Sequence, residues 1–255
     1  MAVFTSRAIV LRRVAFGDFD LIVTLLTLDR GKITVVAKAA KKSIKRFAGA
    51  LEPFAPIEAV CSKGRGMPIL QEASLEHPLT NIRVDVGKTA YASYWAEIID
   101  IYLEENHKQT DLYRLLYFTL TGLDAGGRSG EMWSILFMVR FLILAVLEPS
   151  FDQCFVCKAG VERSAAFYFD LTKGGIICER CSLSPSGKIR LMKGTLKQLL
   201  WLGKKELAQA VRARFNTGSV DEALSLLEAF LPYHLGKTPR SLKFLKNLRF
   251  DAAGL

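Results

Sequence analysis

Four of the five cysteines in this chain, Cys154, Cys157, Cys178 and Cys181, fall in the pattern Cys-x2-Cys-x20-Cys-x2-Cys. Each Cys-x2-Cys pair sets two sulfurs on one side of a tight turn, and two such turns facing each other complete a tetrahedron around a zinc ion. The spacing therefore predicts one Zn2+ per chain, held by four thiolates. Such a closed set leaves no open position for water or substrate, so the ion is expected to be structural. A deaminase-type catalytic zinc would need His-x-Glu with Pro-Cys-x-x-Cys. No His-x-Glu occurs here, and Gln153 and Ile177 precede the two pairs. A redox Cys-x-x-Cys opens a helix after a strand, which two loop-borne pairs fit poorly. Cys61 has no sequence partner and reads as a small buried hydrophobe. The start of the chain reads as a strand containing Arg7, Arg12 and Arg13, not as a signal peptide, so disulfides are not expected and the cytosol is the expected compartment.

The elements that must position these cysteines are a short ribbon between the pairs, Ala165 to Asp170 and then Gly175 to Ile177, and the helices on either side. The segment Gln153 to Ser182 has few apolar residues of its own by this reading, and the metal is expected to staple it onto a helical domain. Helical periodicity begins near Asp85. Tyr91, Tyr94, Trp95, Ile98 and Tyr102 form one apolar stripe, read as core and not as base-stacking platforms. Thr110 is placed to cap a second helix that Gly126-Gly127 stops. A third runs from about Glu131 to Leu147, too short and, with Arg140 inside it, too charged to span a bilayer. Thr195 to Leu202 reads as a short helix, Ser219 and Glu222 as a capping box, and Thr238-Pro239 as the start of a last helix with Leu242, Leu245 and Leu248 inward.

The first eighty residues look different. Ala8 to Val14, Leu21 to Leu28, Ile33 to Lys38, Leu51 to Cys61 and Ile69 to Leu75 are short β-type runs separated by Gly- and Asp-containing turns. Ile33, Val35 and Ala37 alternate with Thr34, Val36 and Lys38. Pro53 and Pro56 argue for an edge or a bulge in the fourth run. Five such strands suit a small barrel of OB or SH3-like type.

The net charge is +10, and it is unevenly spread: residues 1–80 hold 12 Lys/Arg against 7 Asp/Glu, and residues 185–249 hold 13 against 4. That polarity favours polyanionic partners. One basic group, Lys38, Lys41, Lys42, Lys45 and Arg46, lies between two predicted barrel strands, with Lys63 and Arg65 on the next turn. Cations on a barrel loop can follow a phosphate backbone, although a solvated charged loop reads the same way. A second group, Lys237, Arg240, Lys243 and Lys246, surrounds the last helix, where an ordinary solvated face competes evenly with binding. His77, His107 and His234 are scattered. No Gly-x4-Gly-Lys-Ser/Thr occurs, Gly127-Arg128-Ser129-Gly130 falls one residue short of a nucleophile elbow, and no carboxylate cluster suggests a two-metal nuclease. The chain is expected not to be an enzyme.

Leu21-Ile22-Val23-Thr24-Leu25-Leu26-Thr27, Gly31-Lys32, Val36-Ala37-Lys38-Ala39-Ala40-Lys41-Lys42-Ser43 and Leu51-Glu52-Pro53-Phe54 resemble the bacterial RecO family of recombination and repair proteins, as does the ending Leu235-Gly236-Lys237-Thr238-Pro239-Arg240-Ser241-Leu242-Lys243. The resemblance covers nearly the whole chain, zinc cysteines included. Many members carry glycine where Ala39 stands, and some lack the cysteines. It implies an α+β protein: an N-terminal five-stranded OB-fold barrel, residues 1–80, then a mainly helical domain, 81–255, with a four-cysteine zinc segment, 152–184, inserted. It further implies a bacterial, cytoplasmic, nucleoid-associated protein with no membrane partner. Such a protein binds single- and double-stranded DNA, anneals complementary strands, contacts the C-terminal tail of single-strand-binding protein, and works with RecR, and often RecF, to load RecA. Lys38, Lys41, Lys42, Lys45, Arg46, Lys63, Arg65, Lys237, Arg240 and Lys243 are the candidate DNA contacts. Two other readings stay open: a protein-assembly scaffold whose basic surfaces recruit acidic tails, and a zinc-dependent nucleic-acid-modifying enzyme, which four thiolate ligands disfavour.

Overall fold

The computed structural model describes residues 2–47, 49–64, 66–182 and 187–253, without the side chains of residues 44, 45, 252 and 253. Five strands, β1 (Ala2–Phe16), β2 (Asp20–Thr27), β3 (Gly31–Ala37), β4 (Pro56–Lys63) and β5 (Ile69–Leu75), close into a barrel of order β1-β2-β3-β5-β4, with the short helix α1 (Ile44–Phe47) between β3 and β4. This is the OB-fold arrangement. Closure depends on β1. Its first half, Ala2 to Ile9, pairs with β4, and its second half, from Ala8, pairs with β2, with a bulge between Val10 and Arg12 that bends the strand from one partner to the next. Because it serves two neighbours, β1 is longer at both ends than the expected Ala8–Val14.

The period-two signal in β3 is realised: Ile33, Val35 and Ala37 point inward with Val10, Val23, Leu25, Ile57 and Leu70. Cys61 is in the same core, and burial pushes its thiol up to about 11. The expected fourth strand is shorter than predicted. Residues 51–55 form a turn, with Phe54 at φ 69, and Pro56 opens β4. Pro53 has no N–H to donate, and proline is tolerated at the first residue of a strand.

The chain forms two compact units, Met1–Gly126 with Pro239–Leu255, and Gly127–Thr238. In the first unit the barrel is joined by α2 (Thr80–Val84), α3 (Val86–Tyr102), α4 (Thr110–Ala125) and α9 (Arg240–Ala253). Helix α3 packs against β1, α2, α4 and α9, and Tyr91, Tyr94 and Trp95 are buried, as core and not as platforms. The Lys32 ammonium donates to Asp100 O at 2.6 Å, tying β3 to α3. Gly31, at φ +71, lies so close to α4's approach that a Cβ there would stand 1.8 Å from His107 O. Thr110 is the first residue of α4 and not its cap, because its hydroxyl donates to Leu28 O at 3.1 Å. The last helix begins at Arg240, and its N-terminus is capped from a distance. The Glu97 carboxylate accepts from Arg240 N (2.9 Å), Ser241 N (2.8 Å) and Ser241 Oγ (2.5 Å). Leu242 and Leu245 are buried, while Leu248 is half-buried.

The second unit holds α5 (Gly130–Leu144), α6 (Lys193–Lys204), α7 (Leu207–Ala210), α8 (Thr217–Leu235) and a three-stranded sheet of order β7-β6-β8, with β6 Ala166–Asp170, β7 Gly175–Cys178 and β8 Ile189–Met192. The ribbon was expected, and β8 is added to it. The expectation of few apolar residues in this segment is corrected: Val161, Phe167, Phe169, Ile176 and Ile177 are buried, and Phe169 meets Phe230 of α8 edge to face at 5.3 Å. The expected capping box is corrected too. Asn216 caps α8 by accepting from Ser219 N at 2.8 Å, and Glu222 instead accepts from Met192 N and Thr195 Oγ1 at the start of α6. No helix among the described residues is long and apolar enough to cross a membrane. Arg140, inside apolar α5, donates to Gly203 O at 2.7 Å and to Lys205 O, satisfying carbonyls at the end of α6.

Arg140→Ala removes two charge-assisted hydrogen bonds and opens a gap, so it should lower the unfolding free energy by about 2–3 kcal/mol. Denaturant melts of this variant and the parent chain measure it.

Candidate metal centre and nucleic-acid interface

The two cysteine pairs sit on facing turns. The first turn is built by Cys154 N donating to Ala159 O (2.8 Å) and Lys158 N to Cys154 O (2.9 Å), and the second by Cys181 N donating to Cys178 O (3.0 Å) at the end of β7. The four sulfurs lie within 4.8 Å of one another, and Cys157 Sγ and Cys178 Sγ are 3.8 Å apart. A tetrahedron with metal–sulfur bonds of about 2.3 Å has edges of about 3.8 Å, so the set fits a single ion. All four cysteines are free of disulfides. Burial works against ionising Cys154, but the backbone N–H groups of Cys157, Cys178 and Val156 outweigh it and bring the thiol down to about 6. Hydrogen bonds with Cys178 and Cys157 hold the Cys181 thiol up at about 12. Cys154 is thus the thiol of the set that ionises most readily and Cys181 the one that holds its proton more tightly.

The basic loop lies between β3 and α1, and its cations differ in how free they are. Lys38 and Lys42 are exposed, and Lys42 Nζ lies 3.3 Å from the centroid of the Phe19 ring. Lys41 Nζ donates to Gly17 O (3.1 Å) and Asp18 O (3.2 Å), clipping the loop to the β1–β2 turn. Arg46 donates to Ser43 Oγ (2.9 Å) and Lys38 O (2.7 Å), so it shapes the loop from inside. Lys45 is on α1 with its side chain outside the described set. Lys63 is exposed at the end of β4, and Arg65 lies outside the described residues. Ala39 turns the loop at φ 53, with its N–H on Asp20 Oδ1 at 2.7 Å. Beside the loop is a cleft of about 510 Å3 lined by Arg13, Lys41, Ser43, Phe47 and Glu52 among others, with Arg13 paired to Glu52 at 2.7 Å.

Sequence reasoning missed Phe16 and Phe19, which flank the β1–β2 turn and are 53% and 43% exposed. Two aromatics around a Gly-Asp turn, one of them under a lysine, were the available signal. They give the loop both of the features that sequence-tolerant binding of single strands uses, cations and flat rings. The second basic group is split. Arg240 and Lys243 are exposed on α9 in the barrel unit, whereas Lys237 belongs to the other compact unit.

A closed five-stranded barrel with a basic, aromatic-flanked loop, in a chain that also carries a four-cysteine centre, defines a protein of the OB-fold class with an added metal-binding segment. Its first 79 residues match the family model "Recombination protein O N terminal", and residues 83–243 match "Recombination protein O C terminal". It is 45% identical over 250 residues to DNA repair protein RecO of Desulfatibacillum aliphaticivorans, covering 96% of this chain and 97% of that one. It is 44% identical over 255 residues to the RecO of Desulfosudis oleivorans, covering 96% and 98%. The RecO of Anaeromyxobacter sp. strain K is 34% identical over 243 residues, 94% of each chain. The chain belongs to the RecO family.

Metal uptake should release protons, the one on Cys181 above all, and weaken as pH falls, more steeply below about 6 where Cys154 is protonated as well. Zinc titration in weakly buffered solution with a pH indicator measures both effects. Ala39→Gly should raise stability by about 0.5–1 kcal/mol, because glycine holds a left-handed turn without the Cβ penalty, less its greater freedom when unfolded. A lower midpoint in denaturant would contradict that turn.

Proposed function

We propose that this chain is a DNA repair and recombination mediator. It binds DNA through the barrel loop, anneals complementary strands, and helps RecR, with RecF, load RecA onto DNA coated with single-strand-binding protein, whose C-terminal tail it contacts. One observation carries the DNA-binding part: Lys38, Lys41 and Lys42 gather on a barrel loop beside two exposed rings, Phe16 and Phe19, in a chain of the RecO family. The relatives' shared name, DNA repair protein RecO, supports the biological setting. The reading requires no bond-breaking step. We take the metal to be a single structural zinc, since four thiolates suit zinc and close its coordination shell.

On this reading the phosphate contacts come from Lys38, Lys42 and Lys45, with Lys41 and Arg46 also holding the loop in shape. Alanine at 41, 42, 45 and 46 should lower affinity for an oligonucleotide and flatten its salt dependence by up to roughly one unit of slope per lost contact. Lys42→Ala alone should weaken binding without a stability change, whereas Arg46→Ala should also cost about 1 kcal/mol of stability. An annealing assay on complementary strands coated with single-strand-binding protein tests the mediator role. Acceleration of annealing is the expected result. Binding to naked oligonucleotide without any acceleration would leave only a DNA-binding protein, and no binding to naked oligonucleotide would favour an assembly scaffold.

A further inference from the structure

We propose that the first cysteine turn is a second contact for single-stranded nucleic acid, with Phe155 as the stacking face and Lys158 and Lys173 as the phosphate ligands. The inference rests on the DNA-binding reading above and adds a site to it on the other compact unit. Phe155 and Val156, between two of the clustered cysteines, are 45% and 57% exposed. The backbone that carries the ring is nevertheless held in place. Phe155 N donates to Ile176 O of β7 at 2.7 Å, and the turn around it is closed by the hydrogen bonds at Cys154 and Lys158.

Two cations converge on that ring from different parts of the chain. Lys158 Nζ is 5.1 Å from its centroid, and Lys173 Nζ, from the β6–β7 turn, is 5.3 Å away. Lys158 stands at φ 58, where a glycine would be unstrained, so the backbone there is more costly than it need be for a side chain that points to solvent. The carboxylates of the segment are engaged elsewhere. Glu162 pairs with Lys197 (2.7 Å) and Glu179 with Arg190 (4.0 Å), Asp152 accepts from Ser150 Oγ (3.1 Å), and Asp170 accepts from Thr172 within its own turn. Among the described residues no carboxylate forms a close ion pair with Lys158 or Lys173, although the Lys173 charge helps hold the Asp170 carboxyl down.

An exposed ring on a hydrogen-bonded turn, with two lysines beside it, is the combination that binds one base and its flanking phosphates. One ring and one valine are far too small for a stable protein interface, which buries about 800 Å2 on each partner. A strand on each compact unit would give one chain hold of both partners in annealing.

The test measures binding of labelled oligothymidylate to the full zinc-loaded chain at low salt. It compares the parent, a barrel variant (Lys41→Ala with Lys42→Ala), a turn variant (Phe155→Ala with Lys158→Gly), and all four changes together. Lys158→Gly keeps the left-handed turn, so the fold is preserved. Zinc content should be unchanged and the melting temperature should not fall, while affinity falls about tenfold in both backgrounds, as expected for one lost stack and one lost phosphate contact. Unchanged affinity in both backgrounds overturns the proposal and leaves the barrel reading standing. A barrel variant that binds like the parent while the turn variant does not overturns the barrel reading and leaves this one. If Phe155→Ala sheds zinc, Lys158→Gly with Lys173→Ala decides by the same criterion.

Discussion

The Glu97 carboxylate, held on α3, takes the two first backbone N–H groups of α9 and the Ser241 hydroxyl. The charge sits where the helix presents its positive end, so one side chain both satisfies orphan donors and fixes the helix against α3. Much else follows from this contact. It returns the end of the chain to the barrel unit, which makes residues 127–238 an excursion between two pieces of one unit. It also completes the enclosure of α3, whose small residues Ala90, Ala92 and Ala96 let its neighbours approach closely. The same device recurs in the second unit, where Glu222 of α8 serves the start of α6. At α9 a carboxylate distant in sequence does what the local Thr238-Pro239 start was expected to do.

The metal segment combines two kinds of stabilisation. Its sheet buries Phe167, Phe169, Ile176 and Ile177 and meets Phe230 of α8, so it has an apolar anchor independent of any ion. The cysteine turns lie at the edge of that core, with Cys154 and Cys178 buried and Cys157 exposed. The sheet brings the sulfurs close together, and a bound metal would offset the cost of gathering thiolates. This division of labour makes an architectural ion physically sensible: the sheet positions the turns, and an ion held there would lock them.

Legibility varied with the range of the determining interaction. The cysteine spacing, the β3 alternation and the α3 stripe are local patterns, and each was readable and is realised. The turn at residues 51–55 was hidden because apolar residues there are buried in a loop, not a strand, and burial alone does not distinguish the two. β8 was missed because Ile189 to Met192 is only four residues long and gains its strand character by pairing with β6. On the candidate DNA surface, sequence named the lysines but not their unequal roles. That Lys41 clips two turns and Arg46 braces its own loop depends on carbonyls brought near by folding. Phe16 and Phe19 were passed over because two phenylalanines in a β-rich segment read as core until the turn exposes them.

By itself, then, the sequence determined the residue chemistry: four thiolates at metal-binding spacing, a basic loop between barrel strands, and a helical stripe that had to be core. These are set by residue type and by separations of a few positions, which short-range backbone geometry translates directly. The tertiary structure decided which unit each piece joined, how the helices were capped, and which cations remained available to a ligand. Those outcomes depend on groups far apart in the chain meeting in space, as Glu97 meets Arg240 and Lys158 meets Lys173 at one ring, and no local pattern encodes such encounters.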